Sequence, residues 1–234
     1  MQRIQDPFSA RVLYKAVATK LNKPRVLGVL GGNDFPSERL KMWAETADQI
    51  FAADGGANLL RMVGITPLLT LGDLDSIEPE SAASQLELIH IADQDSSDCD
   101  KLLAYVSGRG IEAITLICVE GDLVDHLLGS LFSATKSDLE IRLALRRGTG
   151  HILRGPVQTE YSIPKGSRLS LLPISDCSEV SLEGTEWQLD QAEMSTTGLS
   201  SLSNKATGRV KVSMSTGTAV LIASHPDLET PHWE

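Results

Sequence analysis

A chain of 234 residues can bury a full core as one large domain or two small ones, and its 41% apolar and 22% charged residues exclude disordered and collagen-like classes. A net charge of −10 excludes a non-specific nucleic-acid binder, which works through a basic surface, so any phosphate-bearing ligand here needs a cation beside it. Cys99, Cys118 and Cys177 form no C-x-x-C pair or disulfide framework, and no apolar run reaches the ~20 residues that span a bilayer.

Those cysteines suit a reducing compartment, so a cytoplasmic location is expected, without nucleic-acid or membrane partners. Residues 1–24 mix polar and apolar positions without an unbroken signal-peptide core and predict an amphipathic helical extension, docked on the body or on a partner.

From Arg25 onward, short aliphatic runs alternate with longer stretches of helical apolar spacing. This is the pattern of βαβ units on an open, mostly parallel sheet with flanking helices, assigned to residues 25–148. Strands are expected at Val26–Leu30, Gln49–Ala53, Leu68–Leu71, Leu88–Ile91, Ile114–Val119 and Ile141–Leu145. Helices are expected at Ser37–Thr46, Asn58–Val63, Ser97–Gly108 and Asp125–Ser137.

Near residue 150 the texture changes to short alternating runs punctuated by Pro and Gly. Arg168–Leu172, Glu179–Leu182, Glu186–Leu189, Arg209–Met214 and Ala219–Ala223 read as antiparallel strands, and a C-terminal β-sandwich over 149–234 closes the chain. The tail from His225 to Glu234 is expected to be irregular.

In an open parallel sheet, ligands bind outside the carboxyl ends of the strands. Here those ends are acidic: Asp54 after the second strand, Asp73 and Asp75 after the third, Asp93, Asp95, Asp98 and Asp100 after the fourth, Asp122 and Asp125 after the fifth. Crowded carboxylates repel one another unless a cation holds them, and hard oxygen ligands select Mg²⁺ or Ca²⁺. Each motif also has a local reading. Asp75 can cap a helix and Asp73 fold back in an Asx-turn, Asp54-Gly55-Gly56 can be a turn, and Ser96 or Ser97 can cap the next helix. Asp125-His126 can likewise be a plain helix start. Neither a P-loop nor a G-x-G-x-x-G fingerprint is present, so ATP, if used, is held by another route.

Taken in order, A-D-G-G-A-N at 53–58, G-D-L-D-S at 72–76, D-Q-D-S-S-D-C-D-K at 93–101, G-x-x-x-D-H at 121–126 and L-S-N at 202–204 resemble the thiamine pyrophosphokinase family. The resemblance implies a homodimer with its active site between subunits, ATP and Mg²⁺ on the α/β domain, and thiamine enclosed by the β-sandwich. It implies transfer of pyrophosphate from ATP to the hydroxyl of thiamine, giving thiamine diphosphate and AMP. By matching position, Asp73, Asp75 and Asp98 are the metal-binding and catalytic residues. Asp54, Gln94, Ser97, Lys101, Asp125 and His126 fall on the nucleotide side, and Ser203 and Asn204 contact thiamine.

Some positions depart from the family pattern. Asp122 stands where glycine is usual, Leu123 where arginine is usual, Ser130 where asparagine is common, and Lys205 where an acid follows Ser-Asn. Leu123 removes a guanidinium from a site that must neutralise polyphosphate, and Lys101, Arg146, Arg147 and the Lys205 of a partner are the candidate substitutes. Two other outcomes stay open: a pyrophosphokinase for another small alcohol such as a hydroxymethylpterin, and a non-catalytic thiamine or nucleotide binder.

Overall fold

The computed structural model describes residues 23–121, 123–226 and 231. The expected N-terminal extension, Asp122 and most of the tail lie outside them. Among the described residues no helix is long and apolar enough to cross a membrane.

The first half alternates strand and helix: β1 (Val26–Val29), α1 (Ser37–Thr46), β2 (Gln49–Ala53), α2 (Gly56–Met62), β3 (Leu69–Gly72), α3 (Pro79–Ala83), β4 (Leu88–His90), α4 (Asp98–Gly108), β5 (Ala113–Ile117), α5 (Val124–Lys136) and β6 (Glu140–Leu145). The strands pair in parallel in the order β4-β3-β2-β1-β5-β6. β1, Val-Leu-Gly-Val, is buried at every position, as a central parallel strand covered on both faces must be. On one face Leu40 and Trp43 of α1 and Leu60 of α2 pack against Leu27, Val29 and Ala52. On the other, Leu102, Leu103 and Val106 of α4 and Ala134 of α5 pack against Val26, Phe51, Leu71 and Leu116. The helix that Asp75 could have capped from Ser76 onward starts later, as α3, with Glu78 at its N-cap position and Pro79 in its first turn as the start signal.

The second half continues the same sheet. β7 (Gly148–Arg154) turns back antiparallel to β6, and β13 (Thr218–Ser224) and β9 (Arg168–Pro173) follow outward. β12 (Ser201–Met214) begins beside β9, then crosses into a second layer with β8 (Val157–Tyr161), β10 (Cys177–Thr185) and β11 (Leu189–Met194). Leu153, Leu169, Leu171 and Leu221 face Val180, Leu182, Val210 and Val212 between the layers, which makes the expected β-sandwich. The strand expected at Glu186–Leu189 is corrected: Glu186 and Trp187 form a bend and the ladder resumes at Leu189. The Trp187 N–H donates to the Asn204 side chain at 3.1 Å, so a side chain rather than a strand takes this backbone.

His151 on β7 packs its ring 4.4 Å from Tyr161 of β8. Burial, helped by the nearby Arg142, lowers its pKa from 6.5 to about 4, so the fold holds it neutral. The unfolded chain takes up this proton first, so the stability it contributes is present above about 6.5 and lost as pH falls toward about 4. Urea midpoints at pH 7 and pH 5 should therefore differ less for His151→Phe than for the parent chain.

Candidate active site

The site starts where β2 and β3 end side by side, with Ala53 paired to Leu71. Asp54 follows with φ +40, its N–H donating to the Leu71 carbonyl at 2.9 Å. After β3 the chain runs through Gly72 (φ +152) and Leu74 (φ +64). A Cβ on Gly72 would lie 2.9 Å from the Asp54 Cβ and 3.0 Å from Asp98 Oδ1, so glycine is what lets these acids converge.

One carboxylate oxygen each from Asp54, Asp73 and Asp75 lie within 4.8 Å of one another. Asp54 is 2% exposed. Its Oδ2 accepts from the Ser76 N–H at 3.2 Å, whereas its Oδ1 is buried without a hydrogen-bond partner. Desolvation raises the Asp54 pKa to about 6, with the charges of Asp98, Asp75 and Asp73 adding to it and the Ser76 N–H opposing. Asp73 accepts from Gln94 Nε2 at 3.1 Å, and this bond holds its carboxyl below the usual range. A buried carboxylate oxygen with no donor is costly. A divalent cation between the three acids would satisfy it and remove their repulsion.

The other sequence candidates distribute around this trio. Asp98 opens α4 and accepts from Lys101 Nζ at 3.2 Å. The Lys101 side chain is 4% exposed, so it is a fixed internal charge rather than a mobile arm. Ser97 is the N-cap of α4, in a capping box with Asp100 and 3.0 Å from the Ser133 hydroxyl, so its hydroxyl is committed to the helix start. Asp125 and His126 are exposed in the first turn of α5, next to the exposed Leu123.

Ser203 and Asn204 stand apart, on β12. The way from β2 to β12 crosses seven inter-strand steps, which at about 4.8 Å each is on the order of 30 Å along the sheet. The Ser203 hydroxyl accepts from Arg168 Nη2 at 2.7 Å, a partner with no signal in the sequence. Asn204 is 2% exposed and fully used. Its Nδ2 donates to the Trp187 carbonyl and to Ser201 Oγ, and its Oδ1 accepts from the N–H groups of Trp187 and Lys205. A cavity of about 810 Å³ lined by Trp43, Arg142, His151 and Tyr161 includes neither group.

Bare backbone lies between the strand ends. A Cβ on Gly32 would come 2.0 Å from the Cys118 carbonyl oxygen, one on Gly56 2.2 Å from the Val29 carbonyl oxygen, and one on Gly31 3.6 Å from Gly55. Side chains are excluded at Gly32 and Gly56, where the loop backbones pack directly on neighbouring carbonyls, while a Cβ on Gly31 would make only ordinary contact.

A family model described as thiamin pyrophosphokinase, catalytic domain, matches residues 40–145, and one described as thiamin pyrophosphokinase, vitamin B1 binding domain, matches residues 153–221. Among solved structures, the thiamine pyrophosphokinase from Bacillus subtilis is similar with a TM-score of 0.72 at 22% identity, over 86% of this chain and 100% of that one. Thiamin pyrophosphokinase from Candida albicans gives 0.73 at 16% identity over 87% and 90%, and the yeast enzyme 0.69 at 16% over 87% and 86%. At these identities the structural likeness shows the fold. A search of curated proteins finds no match.

Proposed function

The chain belongs to the thiamine pyrophosphokinase family, and from that membership we propose that it transfers pyrophosphate from ATP to the hydroxyl of thiamine, giving thiamine diphosphate and AMP. The observation that carries this reading is the buried, unpartnered Asp54 oxygen in a carboxylate trio with Asp73 and Asp75 at adjacent strand ends. The donor set is all oxygen, which fits Mg²⁺. Asp54, Asp73 and Asp75 hold the ion, which when bound neutralises charge on the polyphosphate.

The remaining steps fall to the chain itself. The glycine floor over β1 and β2 receives the nucleotide against the backbone, with Asp125 and His126 at its edge. Gln94 fixes the orientation of Asp73. Asp98, whose carboxylate is held by Lys101, takes the proton of the thiamine hydroxyl as that oxygen bonds to the β-phosphorus. The bond from the β-phosphorus to the bridging oxygen breaks, and AMP leaves with it.

We further read the working unit as a homodimer. The acidic trio and the Ser203 region are too far apart within one chain to share a small substrate, so a second copy supplies the thiamine side. Apolar side chains that such an interface would cover are exposed on both parts: Val124, Leu128 and Phe132 at four-residue spacing along α5, and Trp187, Leu199 and Leu202 near β12. Trp187 lines the acceptor pocket and Asn204 holds it in place, while Ser203 keeps its hydroxyl proton to donate.

The test is a purified chain with Mg²⁺, ATP and thiamine, read for AMP and thiamine diphosphate. Release of AMP in step with thiamine consumption supports the reading. No AMP and no binding of either substrate overturns it, and tight binding without AMP replaces it with a non-catalytic relative. AMP release with a hydroxymethylpterin but not thiamine changes the acceptor.

A further inference from the structure

The parallel sheet has its switch point between β1 and β5, where the strand order reverses, and open sheets of this kind place their ligand crevice at the carboxyl ends beside that point. The two lips of this crevice are the loop after β1, through Gly31, Gly32 and Asp34, and the loop after β5, through Cys118, Glu120 and Gly121. They touch through bare backbone, since a Cβ on Gly32 would lie 2.9 Å from the Gly121 nitrogen. From here the glycine floor leads past Gly55 to the acidic trio.

Arg146, just after β6, spans both lips. Its Nη1 donates to Asp34 Oδ2 at 2.7 Å, and its Nε lies 3.7 Å from Glu120 Oε1. Its backbone N–H also donates to the Glu120 carboxylate. The Arg146 side chain is 37% exposed and that of Asp34 75%. Exposed pairs of this kind contribute little to stability and exchange partners readily. Lys101, another cation near this rim, is enclosed and bound to Asp98, so it cannot follow a nucleotide along the crevice.

We propose that Arg146 is a nucleotide-binding residue, which exchanges its pair with Asp34 for an oxygen of the bound nucleoside triphosphate while Nε stays against Glu120. The planar fork of a guanidinium suits this: one edge is fixed by Glu120 and the other turns to the ligand. The exchange leaves the Asp34 carboxylate without its counter-ion, which its exposure allows water to solvate. The inference rests on the crevice being the ATP site.

The experiment is calorimetric titration of the full chain with α,β-methylene ATP and Mg²⁺, comparing the parent with Arg146→Ala, Arg146→Lys and Asp34→Asn. Asparagine tolerates the left-handed backbone at position 34, φ +65, so that variant tests charge and not conformation. Arg146→Ala should weaken binding about tenfold or more, Arg146→Lys should restore part of it, and Asp34→Asn should bind as tightly as the parent or more tightly. If Arg146 only staples the two loops, Asp34→Asn and Arg146→Ala weaken binding alike, and that result overturns the proposal. Unchanged affinity in Arg146→Ala does so too. Should Arg146→Ala fail to fold, the Asp34→Asn comparison decides. A parent chain that does not bind the analogue overturns the ATP reading and this inference with it, whereas a parent that binds, with Arg146→Ala equal to it, overturns this inference alone.

Discussion

Asp73→Asn is expected to lower kcat/KM for pyrophosphate transfer by about a thousandfold or more, because the substitution takes a charged ligand from the ion that neutralises the polyphosphate. The same substitution should leave the metal-free chain as stable as the parent, or more so. Asparagine can still accept from Gln94, the bond that now orients Asp73. What disappears is a like charge beside the buried Asp54. A turn-forming Asp73 predicts the reverse, with stability falling and activity following it down. Melting curves without metal, set beside steady-state rates, separate the two. The Asp54 pKa of about 6 adds a pH signature. A carboxyl with a raised folded value favours the fold when protonated, so in the metal-free chain this contribution is complete below about 3.8 and is lost as pH rises through about 6. Metal binding runs the other way, gaining strength as pH rises through about 6, where it no longer has to displace the Asp54 proton.

Mixed dimers should recover activity that neither parent has. A chain carrying Asp73→Asn keeps its Ser203 side intact, and a chain carrying Trp187→Ala with Ser203→Ala keeps its acidic trio intact. Each homodimer pairs a damaged half with a sound one at both sites. A mixed dimer places both damaged halves at one site and both sound halves at the other. Random reassortment of equal amounts therefore returns about a quarter of the parent kcat. Recovery near zero, with dimers demonstrated by light scattering, would mean that the halves come from one chain. The separation of β2 and β12 in the sheet would then need a different explanation.

Much of the α/β half was legible because its signals are local and repeated. The bounds expected for α1, Ser37–Thr46, and β2, Gln49–Ala53, are those observed, the helix set off by Pro36 and the strand by Asp48 and Asp54. β7 and β8 were not read. Gly148 and Gly150 make the first look like a turn, and the second, Val-Gln-Thr-Glu-Tyr, has no fully buried position to mark it. The bend at Glu186 and Trp187 was invisible because its cause, the Asn204 amide, lies in a distant part of the chain. At the site, sequence spacing put Asp73 and Asp75 together and the family resemblance named Asp98 as the third acid, whereas the carboxylate that clusters with them comes from Asp54. The clustering follows from register: β2 is paired directly with β3 and Gly72 leaves room for Asp54, while Asp98 is drawn to Lys101. Ser97 shows the opposite case, where the capping motif seen in the sequence is the use the structure makes of the side chain.

The claim on which the rest depends is that the acidic trio holds a divalent ion for the nucleotide. Electron paramagnetic resonance of Mn²⁺ measures this directly, by titrating the parent, Asp54→Asn and Asp73→Asn with and without α,β-methylene ATP. One tightly held ion per site is expected in the parent with the analogue present, and loss of that ion in both variants. A parent that holds no Mn²⁺ beyond what the free analogue binds, or variants that hold it as well as the parent does, would contradict the account.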